Sequence, residues 1–236
     1  MNSFGSFVFL LIFYSCFADE LLVHLPNGSV RGTTFSSSNG QTFYAWRGIP
    51  YAQPPLGKLR FMPPVKVAPW EGILNATTDR KGCYYVGKPF IKPSAGCSED
   101  CLFVNVYSPE KVDEKTKPNR SVLFWIHGGA LEQGSGDFIC TDPTPFLEQG
   151  LIVVTINYRL TALGFLSTVD DVVLGNAGLK DQQLALVWTR DNIEFFGGNS
   201  SDVTIMGESA GGISVGSQLI SPKSKGLGAV KKPSKL

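Results

Sequence analysis

The sequence predicts an α/β domain, and three observations carry that prediction. Residues 122–126 and 151–156 are nearly continuous apolar runs rich in β-branched residues, the pattern of strands buried on both faces of a parallel sheet. A third such run spans residues 203–206. Between the second and third lie residues 177–196, whose Leu184, Val187, Trp188 and Phe195 suit a helix that stops at Gly197-Gly198. Strand, helix and strand repeated in this way imply right-handed crossovers and helices packed on the sheet.

Composition agrees. Of 236 residues 43% are hydrophobic and 17% charged, with 21 Lys+Arg against 20 Asp+Glu for a net charge of +1. That apolar share excludes a disordered polymer, and the charge balance leaves no basic excess with which to bind nucleic acid. The length suits a single domain, and no internal repeat is evident.

Taken in order, residues 7–14 form an apolar stretch followed by Cys16-Phe17-Ala18, with small residues at the −3 and −1 places. This reads as a secretory signal peptide, residues 1–18, cleaved after Ala18, although no basic residue precedes it. The run is far shorter than the 18 or more apolar residues that span a bilayer, so no transmembrane segment is expected here or later. Residues 21–46 alternate short apolar runs with the turn sequences Pro26-Asn27-Gly28 and Ser38-Asn39-Gly40, which predicts antiparallel hairpins. Residues 48–72 are dense in Pro and Gly and predict an extended covering segment rather than helix. The polar residues 110–119 predict a surface loop.

Four Asn-x-Ser/Thr sequons, at Asn27, Asn75, Asn119 and Asn199, agree with a secreted glycoprotein. Of five cysteines Cys16 leaves with the signal, and Cys83, Cys97, Cys101 and Cys140 allow three complete pairings. The only histidines, His24 and His127, lie away from these cysteines in sequence, so no metal site and no cofactor is expected.

The chemistry-bearing motif follows the third apolar run. Gly207-Glu208-Ser209-Ala210-Gly211-Gly212 leads into a small-residue helix over 213–220, and strand, sharp turn and helix is the context that makes Gly-x-Ser-x-Gly a nucleophile elbow. The serine there takes a strained backbone conformation, and its glycine neighbours let strand and helix approach. Ser209 then presents its hydroxyl at a helix N-terminus, where N–H groups favour developing negative charge. After the first parallel strand comes His127-Gly128-Gly129-Ala130, placed where an oxyanion hole is required; Gly128, Gly129 and Ala210 are its expected N–H donors. His127, beside the paired glycines, reads as a turn-shaping residue rather than a base.

From about Val30 to Gly226 the sequence resembles the type-B carboxylesterase/cholinesterase family of α/β-hydrolases. Besides the two motifs, the resemblance rests on residues 43–52, 54–61, 98–102, 157–160 and 175–182. It implies an α/β-hydrolase fold, a mixed, mostly parallel sheet with flanking helices, and a small-molecule carboxylic ester as substrate. Ser209 would be the nucleophile, with Gly128, Gly129 and Ala210 as oxyanion donors. A Cys83–Cys101 disulfide would close a loop beside the gorge, whereas Cys97 and Cys140 have no transferable role. Cholinesterases carry a choline-binding Trp inside that loop, but residues 84–100 contain none. Juvenile hormone esterases usually show Gln before the nucleophile, where this chain has Glu208, and adhesion-type relatives generally lose the serine. The reading that remains is a general carboxylesterase acting on uncharged esters.

In this family the triad runs Ser, then Asp or Glu, then His, yet residues 210–236 contain no Asp, Glu or His. The catalytic acid and His are therefore expected to be missing, leaving either an incomplete enzyme or a non-catalytic binding protein. Residues 19–227 read as the N-terminal part of a type-B carboxylesterase domain, and 228–236 as a divergent basic tail of splice-variant, read-through or gene-model origin. Lys223, Lys225, Lys231, Lys232 and Lys235 follow Ser209, so the remainder of the chain is acidic. The strand over 203–206 is expected to be a bare apolar edge that invites pairing.

Overall fold

The computed structural model describes residues 21–87, 92–112 and 118–228, so the expected signal peptide and all but the first residue of the basic tail lie outside the described residues. Two hairpins open the fold. Strands β1 (Leu22–Leu25) and β2 (Gly28–Arg31) are joined by a two-residue turn at Pro26-Asn27, and β3 (Thr33–Ser36) pairs antiparallel with β4 (Thr42–Pro50). The Pro-rich segment after β4 is extended apart from one short 3₁₀ turn, Gly57–Leu59, and leads to β5 (Ile73–Asn75), which pairs parallel with β2. Two-residue strands β6 (Gly82–Cys83) and β7 (Cys97–Ser98) lie in parallel. Strands this short need another restraint. It is the Cys83–Cys101 disulfide, which joins residues 18 apart in sequence; closing a loop of that size contributes about 3 kcal/mol.

The main sheet has the order β11-β9-β10-β8-β4-β3. Its parallel part comprises β9 (Arg120–Ile126), β10 (Ile152–Ile156) and β11 (Gly198–Gly207), the three apolar runs of the sequence. The other three strands are antiparallel to their neighbours, so the sheet is mixed, with its parallel part on the β11 side. Strand β8 (Phe103–Ser108) is an unanticipated element, since the polar Asn105 interrupts its run. Asn105 is buried because its side chain completes the sheet. It accepts from Gly48 N–H at 2.7 Å and donates to Gly136 O at 2.7 Å and Thr155 Oγ1 at 3.0 Å. Gly48 lies where β4 slips register between Trp46 and Ile49, at φ +77°, and a Cβ there would sit 2.2 Å from Arg80 Cγ.

Helices α1 (Thr144–Leu147), α2 (Thr161–Phe165), α3 (Ala177–Asn192) and α4 (Ala210–Ile220) complete the described fold. The larger core joins sheet residues Trp46, Phe124, Ile126 and Val154 to Leu186 of α3 and to Phe196, whose ring meets Trp46 edge-on at 5.1 Å. A second cluster holds Phe43, Tyr107, Leu147 and Val153, with Phe35 and Phe138 against them. A buried polar pair adds to this packing of α3. Arg159, three residues past β10, donates from Nε, Nη2 and its backbone N to the Asp181 carboxylate at 2.8, 2.6 and 3.0 Å. The two side chains are 4% and 0% exposed. Burial pushes the Asp181 carboxyl above its ordinary pKa, and the Arg159 contacts oppose that shift.

β11 is an edge strand among the described residues, as the sequence expects. Val203 and Ile205 are buried in the larger core, and Gly228 lies beside them. Gly228 lies so close that a Cβ would stand 2.8 Å from Ile205 Cγ1. Met206 stays 41% exposed.

Removing one partner of a buried ion pair strands the other charge, so Asp181→Ala should destabilise the fold by about 3–5 kcal/mol. Urea unfolding followed by tryptophan fluorescence checks this, and a loss below about 1 kcal/mol, the range of a surface pair, would show that α3 is held by packing alone.

Candidate active site

Register brings the two motifs together. β11 runs parallel to β9 with Gly207 opposite Ile126, so the residues that follow each strand emerge side by side at the same end of the sheet. After β11 the chain reverses into α4 through Ser209, whose φ of +54° and ψ of −120° lie in a region that side-chain-bearing residues rarely occupy. The glycines two residues either side are required by contact. A Cβ on Gly207 would lie 2.4 Å from the Gly211 carbonyl carbon, and one on Gly211 would lie 2.1 Å from Ile126 O. Ser209 stands at the N-cap position without capping the helix, and its side chain faces solvent. Among the described residues nothing hydrogen-bonds its hydroxyl, and neither histidine reaches it.

The loop after β9 packs directly on this turn. A Cβ on Gly128 would lie 2.4 Å from Glu208 Oε2 and 3.1 Å from Ser209 Cβ, so only glycine allows the approach. Gly129, Ala130 and Leu131 then take positive φ of 106°, 58° and 62°, which turns the Gly129 carbonyl back to accept from Glu132 and Gln133 N–H at 3.0 Å each. Among the described residues the N–H groups of Gly128, Gly129 and Ala210 have no acceptor within the protein. The N–H of Ala130 is equally uncommitted, a donor candidate that the sequence reading passed over. Its only signal was the third place after His127, where a non-glycine residue concealed the left-handed backbone.

His127 closes the floor. Its ring stacks on Tyr158 at 4.4 Å, and Tyr158 donates from its hydroxyl to His127 O at 2.9 Å. Nδ1 lies 2.8 Å from Gly128 O and must donate to it, which leaves Nε2 as a buried acceptor with no partner within the protein. Burial lowers the His127 pKa to about 4, against weaker raising by the Gly128 carbonyl contact and the charge of Asp137. A neutral imidazole locked to its own loop shapes a turn, as the sequence predicts. A cavity of about 180 Å³ opens beside the elbow, lined by Gly128, Gly129, Gln133, Cys140 and Glu208 among others.

The other site residues fall elsewhere. Cys83 and Cys101 are bonded, while Cys97 and Cys140 are free thiols. Burial, with Asp137 beside it, pushes the Cys140 thiol well above its ordinary pKa. Asn75 and Asn119 are exposed, Asn27 and Asn199 half-buried. Among the described residues no cluster of three metal-ligating side chains occurs, and no helix is long and apolar enough to cross a membrane.

The profile of the Carboxylesterase family matches residues 19–232. The chain belongs to the carboxylesterase family. It is 42% identical over 229 residues to a juvenile hormone esterase of Tribolium castaneum, covering 93% of this chain and 38% of that protein. It is 45% identical over 202 residues to venom carboxylesterase-6 of Apis mellifera, covering 85% and 36%. With esterase E4 of Myzus persicae the identity is 42% over 234 residues, covering 96% and 42%. The solved juvenile hormone esterase of Manduca sexta, with OTFP covalently attached, superposes with a TM-score of 0.84 at 36% identity over 89% of this chain and 40% of that one. The fold is thus that of an α/β-hydrolase, and this carboxylesterase chain spans about two fifths of the length of the relatives it matches.

The His127 pKa has a consequence for stability. Because the folded value is depressed, the ring stays neutral while the unfolded chain takes up a proton below about 6.5. Stability from this group is therefore complete above pH 6.5 and is lost as pH falls toward about 4. Wild type should lose about 3 kcal/mol more than His127→Gln across that window; parallel curves in urea titrations at each pH would contradict it.

Proposed function

We propose that this carboxylesterase chain carries the nucleophile and the oxyanion donors of a secreted serine carboxylic ester hydrolase. The observation that carries the proposal is the strained, solvent-facing Ser209 set against a loop whose N–H groups have no acceptor. In the family's reaction Ser209 Oγ would attack the ester carbonyl carbon. The oxyanion would accept from Gly128, Gly129 and Ala210, with Ala130 as a further donor, each worth about 3 kcal/mol in a preorganised site. Collapse would expel the alcohol and leave an acyl-enzyme at Ser209, which water then hydrolyses. The proton needs a base. His127 is committed to Gly128 and Tyr158, His24 lies 2.8 Å from Ser29 Oγ, and residues 210–236 supply neither imidazole nor carboxylate.

Uncharged esters are the proposed substrates. The disulfide loop offers no indole face to a quaternary ammonium, and Glu208 stands before the nucleophile where the resemblance expects Gln in juvenile hormone esterases. The apolar leader, the four sequons and the similarity to a venom carboxylesterase support secretion, with glycans at Asn27, Asn75, Asn119 and Asn199. The proposed divisions of the chain are a signal over 1–18, an esterase portion over 19–227 and a basic tail over 228–236.

The test pairs fluorophosphonate labelling with turnover of p-nitrophenyl acetate. Assayed as these 236 residues alone, the chain should hydrolyse the ester about 10³-fold or more below a complete esterase, the scale of losing a triad base. Ser209→Ala should abolish whatever labelling and turnover remain. Labelling that survives in Ser209→Ala would remove Ser209 from its role, and absence of both signals in wild type would favour a non-catalytic binding protein.

A further inference from the structure

The sequon Asn27-Gly28-Ser29 occupies the tip of the β1–β2 hairpin, and that tip forms one wall of a groove of about 250 Å³. The opposite wall is one face of α3. Leu184, Val187 and Trp188 provide an apolar surface, while Lys66 and Asp191, 3.8 Å apart, lie exposed at its edge. An apolar bed with a few polar groups at the margin is how proteins hold small ring ligands. A hexose matches it, because its C–H face suits the apolar wall and its hydroxyls suit an ammonium donor and a carboxylate acceptor.

Asn27 is already aimed. Its Nδ2 donates to Val67 O at 3.1 Å, and Val67 lines the same groove. Glycosylation replaces only one of the two Nδ2 hydrogens, so the other can keep that bond and hold the linkage at the groove. Asn75 and Asn119 are exposed and line no described cavity, so glycans there would project into solvent.

We propose that Asn27 carries an N-linked glycan whose first sugar lies in this groove and packs on α3. The inference rests on the secretory reading above. The donor is a polyprenyl-diphosphate-linked oligosaccharide: the Asn27 Nδ2–H bond breaks, an Nδ2–C1 bond forms, and the C1–O bond to the diphosphate breaks. The lipid diphosphate leaves with the bonding pair, and the amide proton passes to the transferase base.

The experiment uses the full chain expressed through the secretory pathway of insect cells, with occupancy at each sequon read by mass spectrometry after enzymatic release in H₂¹⁸O. A second measurement follows glycan release from the native protein. The expected result is occupancy at Asn27, with release there about ten-fold slower than at Asn75, since docking must first be undone. Occupancy at Asn75 or Asn119 with Asn27 bare overturns this inference and leaves the secretory reading standing. Equal release rates at Asn27 and Asn75 overturn the docked sugar. No occupancy at any sequon overturns the secretory reading and this inference together.

Discussion

The structure turns on a contact between two pieces of backbone. Gly211, in the first turn of α4, rests on the carbonyl of Ile126, the last residue of β9, with no room for even a methyl group between them. That approach sets the distance from the Ser209 turn to the loop beginning at His127. Because β9 and β11 are parallel and in register, the contact fixes direction as well as distance. Helix start, serine and free N–H groups face one space.

A polar network keeps the loop in that place. Gly136 N–H donates to Asn157 Oδ1 at 2.8 Å, and Gly136 O accepts from Asn105 and from Thr155 Oγ1, so the far end of the loop is tied to β8 and β10. Asn157 is held in turn by Tyr51, whose hydroxyl donates to its carbonyl at 2.8 Å. Asp137 receives Ser94 N–H at 2.8 Å and Cys140 N–H at 3.2 Å, joining the same loop to the disulfide region. Buried groups satisfied on several sides rigidify what they hold.

Much of this was legible from residues alone, and the exceptions have physical reasons. The three parallel strands announced themselves because strands buried on both faces need apolar side chains throughout. The elbow was legible because its glycines answer to contact, as Gly207 and Gly211 confirm. β8 was missed because Asn105 is polar for a tertiary reason, the bulge at Gly48, which no local pattern records. Ala130 was passed over because side-chain-bearing residues seldom take left-handed backbone, and only the packed loop makes it do so. The edge position of β11 was legible, whereas the packing of Leu227 and Gly228 beside Val203 and Ile205 was not, because that stretch carries no strand or helix pattern.

The Gly211–Ile126 contact also sets an order of events. Its two halves are 85 residues apart in sequence, and β10 with α3 must cross over between them before β11 can lie against β9. Non-local parallel pairing is slow, because loop closure is opposed by entropy until the final contacts form. The unusual backbone at Ser209 is imposed by those last contacts, so a half-folded chain holds an ordinary, relaxed serine. The strained serine turn comes into being only as the sheet finishes assembling.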